Sequence, residues 1–189
     1  TIQEHYFPGS TYKVVSALAA LNEPDFDPEE EITCDGFLSY GGRKFKCTHK
    51  HGPVNLEQAI VQSCNVYFYT LGNLLGVDRI HKWATALGLG EMSGIDLPHE
   101  TQGIMPSTAW KKQRTGEKWY AGETISVAIG QGQVSVTPIS LAVMMASVAN
   151  GGTRVVPHLV SAVDNGKGWE RLPPPEGQRR RRRVAGAPD

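Results

Sequence analysis

A serine and a lysine three residues apart, Ser10 and Lys13, stand at the head of an apolar segment with helical spacing. Residues three apart on a helix share a face, so the lysine amine is placed to reach the serine hydroxyl. The positive end of the helix dipole and any burial both disfavour the ammonium form, which lowers the pKa of such a lysine. Because a partly neutral lysine accepts a proton, the pair predicts a serine nucleophile with a lysine base.

A second polar cluster, Ser63, Cys64 and Asn65, lies between two segments with helical periodicity. Acyl-transfer enzymes that use a Ser-x-x-Lys pair also use a Ser-x-Asn loop. In that arrangement Ser63 relays a proton toward the leaving group, and the Asn65 amide holds the substrate backbone. A simple polar turn is the alternative interpretation, because serine and asparagine favour turns.

Glycine, proline and capping residues divide the chain into the elements that would position these side chains. Pro8 and Gly9 form a turn before the Ser10 helix, and residues 31–47 predict a short hairpin that turns at 40–42. Further helices are predicted from Asn55, over 66–75, from Asp78 and after Thr137. The last helix is expected to bury a face formed by Ile139, Met144, Met145 and Val148.

Composition points to a single globular domain. The chain has 189 residues, of which 40% are hydrophobic, and Lys+Arg and Asp+Glu both number 19. Five of the basic residues form an arginine run at 179–183; without residues 178–189, 14 basic residues face 18 acidic ones. Such a mildly acidic body offers no nucleic-acid footprint. The sequence has no apolar run of the roughly 18 residues that a membrane-spanning helix needs.

The two ends of the chain differ from the body. The sequence does not begin with Met, and the arginine run follows three consecutive prolines. We therefore expect a piece of a longer protein, with a domain over residues 1–168 and a disordered Pro/Arg-rich tail over 169–189.

Together with further sequence blocks, the two motifs resemble the transpeptidase domain of class B penicillin-binding proteins of the cell-elongation type. The blocks are Pro-Gly-Ser-Thr-Tyr-Lys at 8–13, Ser-Cys-Asn at 63–65, Gly-Ile-Asp-Leu-Pro at 94–98, Ile-Gly-Gln-Gly at 129–132, Thr-Pro at 137–138 and Ala-Asn-Gly-Gly at 149–152. They cover roughly residues 1–160 and are specific in combination. The resemblance implies an α+β fold of the serine transpeptidase and β-lactamase-like class, here a helix-rich fragment with short strands and one small hairpin.

The resemblance also implies an activity, partners and a location. Ser10 would form an acyl-enzyme with the D-Ala-D-Ala end of a peptidoglycan stem peptide, and Lys13, Ser63 and Asn65 would complete the catalytic set. An amine from a neighbouring strand would then resolve it into a crosslink, and β-lactams would acylate the same serine. The expected location is the periplasmic side of the bacterial inner membrane, with the anchor outside these residues and a membrane glycosyltransferase as partner.

One departure from the family pattern affects the expected activity. The family's third motif, Lys-Thr-Gly or Lys-Ser-Gly, is absent, and the nearest sequence is Gly-Lys-Gly at 166–168. In the family this motif binds the substrate carboxylate and helps to build the oxyanion hole, so we expect the fragment to be inactive as it stands. Truncation or a frame shift near Gly168 would explain the absence. Two alternatives stay open: a D,D-carboxypeptidase or β-lactamase relative, and a non-catalytic β-lactam sensor or pseudo-enzyme.

The three cysteines form a separate constellation. Cys34, Cys47 and Cys64, with His51 between the last two, offer three thiolates and one imidazole, a common tetrahedral set for Zn²⁺. Some elongation-type relatives carry a metal site at these places, which favours structural zinc over the alternative, a Cys34–Cys47 disulfide with a free third thiol. His49 is the alternative fourth ligand.

Overall fold

The computed structural model describes residues 1–173, which divide into two units. The first comprises Phe7–Ala84 and Met105–Ser135, and we call it the site unit because it contains every predicted catalytic and metal-binding residue. The second comprises Thr1–Tyr6, Thr85–Ile104 and the described part of Val136–Asp189.

The site unit is mostly helical, with four short strands inserted after its first helix. Its elements are a 3-10 helix (Gly9–Tyr12), helix α1 (Lys13–Leu21), strands β1 (Ile32–Cys34), β2 (Phe37–Tyr40), β3 (Arg43–Lys46) and β4 (Gly52–Val54), and helices α2 (Leu56–Val61), α3 (Asn65–Leu75), most of α4 (Val77–Ala86), α5 (Thr108–Thr115) and α6 (Ala121–Val127).

The four strands form two antiparallel pairs rather than the single hairpin expected over 31–47. Strands β2 and β3 make a hairpin in which Phe37 faces Lys46, and its turn at 41–42 uses two glycines with positive φ. Strand β1 instead pairs with β4, with Ile32 opposite Val54. The sequence reasoning missed β4 because Pro53 and Gly52 weaken its strand pattern.

Helix α3 lies in the core of the site unit, where Tyr67, Phe68 and Leu71 are at most 1% exposed. Its Gly72 allows α6 to approach closely, because a Cβ there would lie 2.5 Å from the Ala128 Cβ. This close packing fixes α3, whose first residue is Asn65, against the loop that follows α6.

The second unit contains helix α7 (Pro138–Ala149) and strands β5 (Ala162–Asp164) and β6 (Trp169–Arg171). Thr137 caps α7 by accepting a hydrogen bond from Ser140 N, and proline occupies the first turn, as predicted. The predicted buried face was wrong for Met145 and Val148, which are 43% and 37% exposed. The helix instead buries the stripe Ser140, Val143, Met144 and Ser147.

Strands β5 and β6 form a second hairpin that the sequence did not predict, with Ala162 opposite Arg171. The tail assigned to 169–189 therefore begins with three residues in a strand. Its remainder from 174 onward, including the arginine run, lies outside the described residues. Within residues 1–173, no helix is long and apolar enough to cross a membrane.

Candidate active site

Ser10 lies in the 3-10 helix Gly9–Tyr12 with its side chain exposed to solvent. Gly9 N donates a hydrogen bond of 3.0 Å to Gly130 O, so the loop after α6 holds the turn that carries the serine. A Cβ on Gly130 would meet the Gly9 backbone oxygen and would lie 2.6 Å from the Tyr12 Cβ. Only glycine allows this approach, and Gly130 belongs to the Ile-Gly-Gln-Gly block.

Lys13 is the first residue of α1 and is 3% exposed. Its Nζ donates three hydrogen bonds: 2.7 Å to Ser63 O, 2.9 Å to Ser63 Oγ and 2.7 Å to Asn65 Oδ1. All three acceptors are neutral, so the hydrogen bonds solvate the amine without fixing it as an ammonium through a carboxylate. Burial lowers the pKa of Lys13 below the ordinary lysine value, against a smaller opposing effect of nearby thiols.

Ser63 joins the lysine to the serine. It follows α2 and has φ 53°, a left-handed conformation that costs a non-glycine residue roughly 1–2 kcal/mol. This conformation accompanies the contact of both its carbonyl and its hydroxyl with Lys13 Nζ, and its Oγ donates to Ser10 Oγ at 2.8 Å. The expected direct Lys13–Ser10 hydrogen bond is not among those of residues 1–173; Ser63 bridges the two because the lysine's three donors are all directed to the 63–65 segment.

Asn65 begins α3 and directs its amide between the lysine and strand β3. Its Oδ1 accepts from Lys13 Nζ, and its Nδ2 lies 3.5 Å from Lys46 O. One helical turn later, the Tyr69 hydroxyl donates to the same carbonyl at 3.1 Å, and its ring packs edge-on against Phe45. Sequence reasoning missed Tyr69, although its i+4 spacing from Asn65 places both on one face of α3.

The four predicted metal ligands converge at the base of the β2–β3 hairpin. The side-chain ligand atoms of Cys34, Cys47, His51 and Cys64 all lie within 4.8 Å of one another. His51 Nδ1 is 3.5 Å from Cys34 Sγ and 3.6 Å from Cys47 Sγ. The alternative ligand, His49, takes no part in this group; its ring packs edge-on against the His51 ring.

Cys47 connects this group to the catalytic loop. Asn65 N donates to Cys47 Sγ at 3.1 Å, and all three cysteines have free thiols. Burial disfavours the Cys47 thiolate, but hydrogen bonds from neighbouring backbone amides outweigh it and lower the pKa of this thiol to about 6. Burial raises the pKa of the Cys64 thiol to about 12. The group thus combines one readily ionised sulfur with one that resists ionisation.

Comparison with known proteins identifies the family of the chain. Residues 1–184 match the family described as the penicillin binding protein transpeptidase domain, and this match includes most of the segment assigned to the tail. The peptidoglycan D,D-transpeptidase MrdA of Acinetobacter baumannii is 39% identical over 181 residues. That alignment covers 94% of this chain but 27% of the relative, so the chain spans about a quarter of the relative's length.

Solved structures show the same fold. A penicillin-binding protein, PBP2, from Helicobacter pylori superimposes with a TM-score of 0.80 at 31% identity, covering 93% of this chain and 33% of that one. A structure described as the coordination of polymerization and crosslinking by a peptidoglycan synthase complex gives a TM-score of 0.77 at 37% identity, covering 92% and 31%. The chain therefore belongs to the family of penicillin-binding protein transpeptidase domains, of which it has the α+β fold.

Proposed function

We propose that the chain is the nucleophile-bearing part of a peptidoglycan D,D-transpeptidase of the cell-elongation type. The observation that carries the proposal is the continuous chain of hydrogen bonds from Lys13 Nζ through Ser63 Oγ to Ser10 Oγ. An exposed hydroxyl at one end and a buried amine of lowered pKa at the other suit a nucleophile and its base.

In the proposed reaction, Ser10 Oγ attacks the carbonyl carbon of the D-Ala-D-Ala peptide bond. For the transfer of the Ser10 proton, the Ser63 hydroxyl reverses its observed orientation: neutral Lys13 keeps its two N–H groups on Ser63 O and Asn65 Oδ1 and accepts from Ser63 Oγ. Ser63 passes its own proton to Lys13 while it accepts the Ser10 proton, and the proton on Lys13 is later returned to the leaving D-alanine amine. The amine of a neighbouring stem peptide then attacks the resulting ester, which forms the crosslink and frees Ser10. A β-lactam would acylate Ser10 in the same way. Asn65 would hold the substrate backbone while its Oδ1 stays on Lys13.

The absence of a Lys-Thr-Gly sequence limits the rate that we expect from these 189 residues. Removal of one oxyanion donor slows acyl transfer by about 100- to 1,000-fold. We therefore expect the isolated chain to give little or no transpeptidation and only slow β-lactam acylation. Labelling with a fluorescent penicillin tests the proposal: slow labelling that Ser10→Ala abolishes is expected, and rapid stoichiometric labelling would show that the missing motif is dispensable.

The same absence favours one alternative, a β-lactam-binding module that does not catalyse crosslinking. The two functions differ in how the acyl group leaves. A transpeptidase transfers it to an added amine such as a D-amino acid, whereas a sensor retains it. If adding the amine does not speed up loss of the penicilloyl label, the result favours the sensor.

The setting of the intact protein is also proposed from its relatives. We place it on the periplasmic side of the bacterial inner membrane, with peptidoglycan stem peptides as substrate. A membrane glycosyltransferase is the expected partner, supported by the likeness to a chain from a peptidoglycan synthase complex. Co-purification of the intact protein with a glycan polymerase from membranes would test this assignment.

We further propose that the Cys34, Cys47, His51 and Cys64 group binds one structural Zn²⁺. With Zn–S bonds of about 2.3 Å and Zn–N bonds of about 2.0–2.1 Å, a tetrahedral nitrogen and sulfur lie about 3.6 Å apart, so the observed His51 contacts of 3.5 and 3.6 Å fit. Four protein ligands would leave no open position, which suits a structural ion that holds the 63–65 loop. Because the ligands must lose their protons, we expect zinc to be retained at neutral pH and released as the pH falls.

Elemental analysis of the purified chain tests this site. We expect close to one zinc per chain, lost in Cys64→Ala and in His51→Ala. The matched control is His49→Ala, which changes a neighbouring imidazole outside the group and should retain the metal. Full zinc content in His51→Ala would contradict the ligand assignment.

A further inference from the structure

Two of the clustered cysteines lie side by side against one imidazole nitrogen. His51 Nδ1 contacts both Cys34 Sγ and Cys47 Sγ, at 3.5 and 3.6 Å. Cys47 N also donates to Gly36 O at 2.8 Å, which holds the backbone of Cys47 beside a residue two positions after Cys34. We propose that Cys34 and Cys47 are a site of oxidation by peroxides, closing to a disulfide while Cys64 stays reduced.

Accessibility sets the order of events. Cys34 and Cys64 are both 0% exposed, whereas Cys47 is only partly buried. A small oxidant such as hydrogen peroxide therefore meets the Cys47 sulfur first. Cys64 is fixed between two helices, with its N–H bonded to Ala59 O at 2.8 Å, and its sulfur lies within 4.8 Å of the other ligand atoms without sharing the His51 hydrogen-bond contacts of Cys34 and Cys47. Cys34 is thus the better placed second thiol.

The chemistry balances with peroxide as the only co-reactant. The Cys47 thiolate attacks one oxygen of hydrogen peroxide, the O–O bond breaks, and the departing hydroxide takes a proton to become water. The resulting sulfenic acid is attacked by the Cys34 sulfur; an S–S bond forms, the S–O bond breaks, and hydroxide leaves with the Cys34 proton as a second water. The two sulfurs lose two electrons in total, and the peroxide gains them.

Oxidation of Cys47 would affect the 63–65 loop because Asn65 contacts both Cys47 and Lys13. The Asn65 N–H donates to Cys47 Sγ at 3.1 Å, while the side chain of the same residue accepts from Lys13. Closure of the disulfide draws the Cys34 and Cys47 sulfurs to about 2.05 Å of each other, so Cys47 Sγ has to shift and the hydrogen bond from Asn65 N is weakened. A misplacement near 1 Å at a reacting site costs up to about 100-fold in rate.

The same two sulfurs are ligands of the proposed Zn²⁺, so metal and disulfide exclude one another. This competition rests on the proposed zinc site, whereas the disulfide itself does not. Zinc loading should protect Cys34 and Cys47 from peroxide, and oxidation should release the ion.

The test treats the metal-free and the zinc-loaded chain with hydrogen peroxide and follows thiols, zinc and cross-linked peptides. Free thiols should fall from three to one, and mass spectrometry should identify a Cys34–Cys47 peptide that dithiothreitol reverses. In the zinc-loaded chain we expect at least about 10-fold slower oxidation, with zinc released as the disulfide forms. Peptide mapping needs no transpeptidase activity, so its result is independent of the proposed reaction.

A second readout follows the link to the active site. In a ¹H–¹⁵N spectrum, the Asn65 amide proton should move upfield on oxidation, as expected when a hydrogen bond is weakened. Cys64→Ser should still form the disulfide, and Cys34→Ser should instead accumulate oxygenated Cys47. A dominant disulfide to Cys64, oxidation that ignores zinc, or an Asn65 signal that does not move would each overturn the proposal.

Discussion

Ser63 Oγ lies 2.9 Å from Lys13 Nζ and donates to Ser10 Oγ at 2.8 Å, so Ser63 forms a hydrogen-bonded bridge between the lysine and the serine. A direct Lys13–Ser10 contact would leave Ser63 dispensable for activating the nucleophile. In the proposed reaction, the bridge makes Ser63 the route by which the Ser10 proton leaves.

Replacing this bridge should slow acylation strongly. We expect Ser63→Ala to reduce the rate of fluorescent-penicillin labelling by about 100-fold, the lower range for loss of a proton-transfer group. The matched control is Ser39→Ala, which removes an exposed hydroxyl from β2 and should leave the rate unchanged. Equal labelling rates in the two variants would show that Ser63 does not carry the proton.

The buried lysine predicts a particular pH dependence. Acylation needs the neutral amine, so its rate should rise with pH through the Lys13 pKa and then level off. Because burial lowers the pKa of Lys13, the plateau should begin below the ordinary lysine value. Labelling rates measured between about pH 6 and 11 give this profile.

Lys13→Arg separates charge from proton acceptance, since an arginine stays protonated throughout this range. We expect this variant to be unlabelled at every pH. A rate that does not vary with pH in the parent chain, or normal labelling of Lys13→Arg, would rule out a lysine base.

Gly130 supports the serine by close packing, and this can be measured as stability. Gly130→Ala should lower the free energy of unfolding in two ways: an alanine is strained at positive φ, and its Cβ would clash with the Gly9–Tyr12 turn. Gly116 is the control, because its φ is also positive but an added Cβ meets nothing within 4 Å. Gly116→Ala should cost roughly 1–2 kcal/mol of unfolding free energy, and Gly130→Ala about 1–3 kcal/mol more, measured by urea unfolding. Equal losses would mean that the Gly130 contact relaxes without cost.

An ion pair between Lys111 and Glu123 links helices α5 and α6. Lys111 is 4% exposed, and its Nζ lies 2.9 and 2.7 Å from the two carboxylate oxygens of Glu123. Glu123→Gln would leave the buried lysine only the more distant and exposed Glu117 carboxylate, at 3.8 Å. We expect a loss of about 2 kcal/mol, less than for a fully buried pair because the Glu123 side chain is 29% exposed.

The control for this pair is Glu23→Gln, which breaks the more exposed contact with Arg79 and should cost at most about 1 kcal/mol. Urea unfolding of both variants gives the comparison. A Glu123→Gln loss as small as that of Glu23→Gln would show that Lys111 is solvated in another way.

The parts of the site predicted from sequence are those with local signals. Ser10 and Lys13 are one helical turn apart, and Asn55 and Thr137 cap helices where their side chains predicted. The grouping of Cys34, Cys47, His51 and Cys64 was predicted from residue type, because three thiolates and one imidazole are a common tetrahedral set for Zn²⁺.

The parts that were missed depend on tertiary packing. Nothing in the sequence pairs Lys111 with Glu123, 12 residues away, or aims Tyr69 at the Lys46 carbonyl. The predicted buried face of α7 was wrong because the chosen positions lie on two sides of the helix. The residues that are buried follow the spacing i, i+3, i+4 and i+7 from Ser140. The route from Lys13 to Ser10 through Ser63 depends on a left-handed turn at a non-glycine residue, which spacing does not predict.

Peptide mapping after prolonged incubation with benzylpenicillin tests directly whether Ser10 is the nucleophile. We expect one penicilloyl group per labelled chain, attached to the peptide that contains Ser10, and no adduct in Ser10→Ala. An adduct on another residue, an adduct that persists in Ser10→Ala, or a folded parent chain that remains unmodified at saturating penicillin would contradict it.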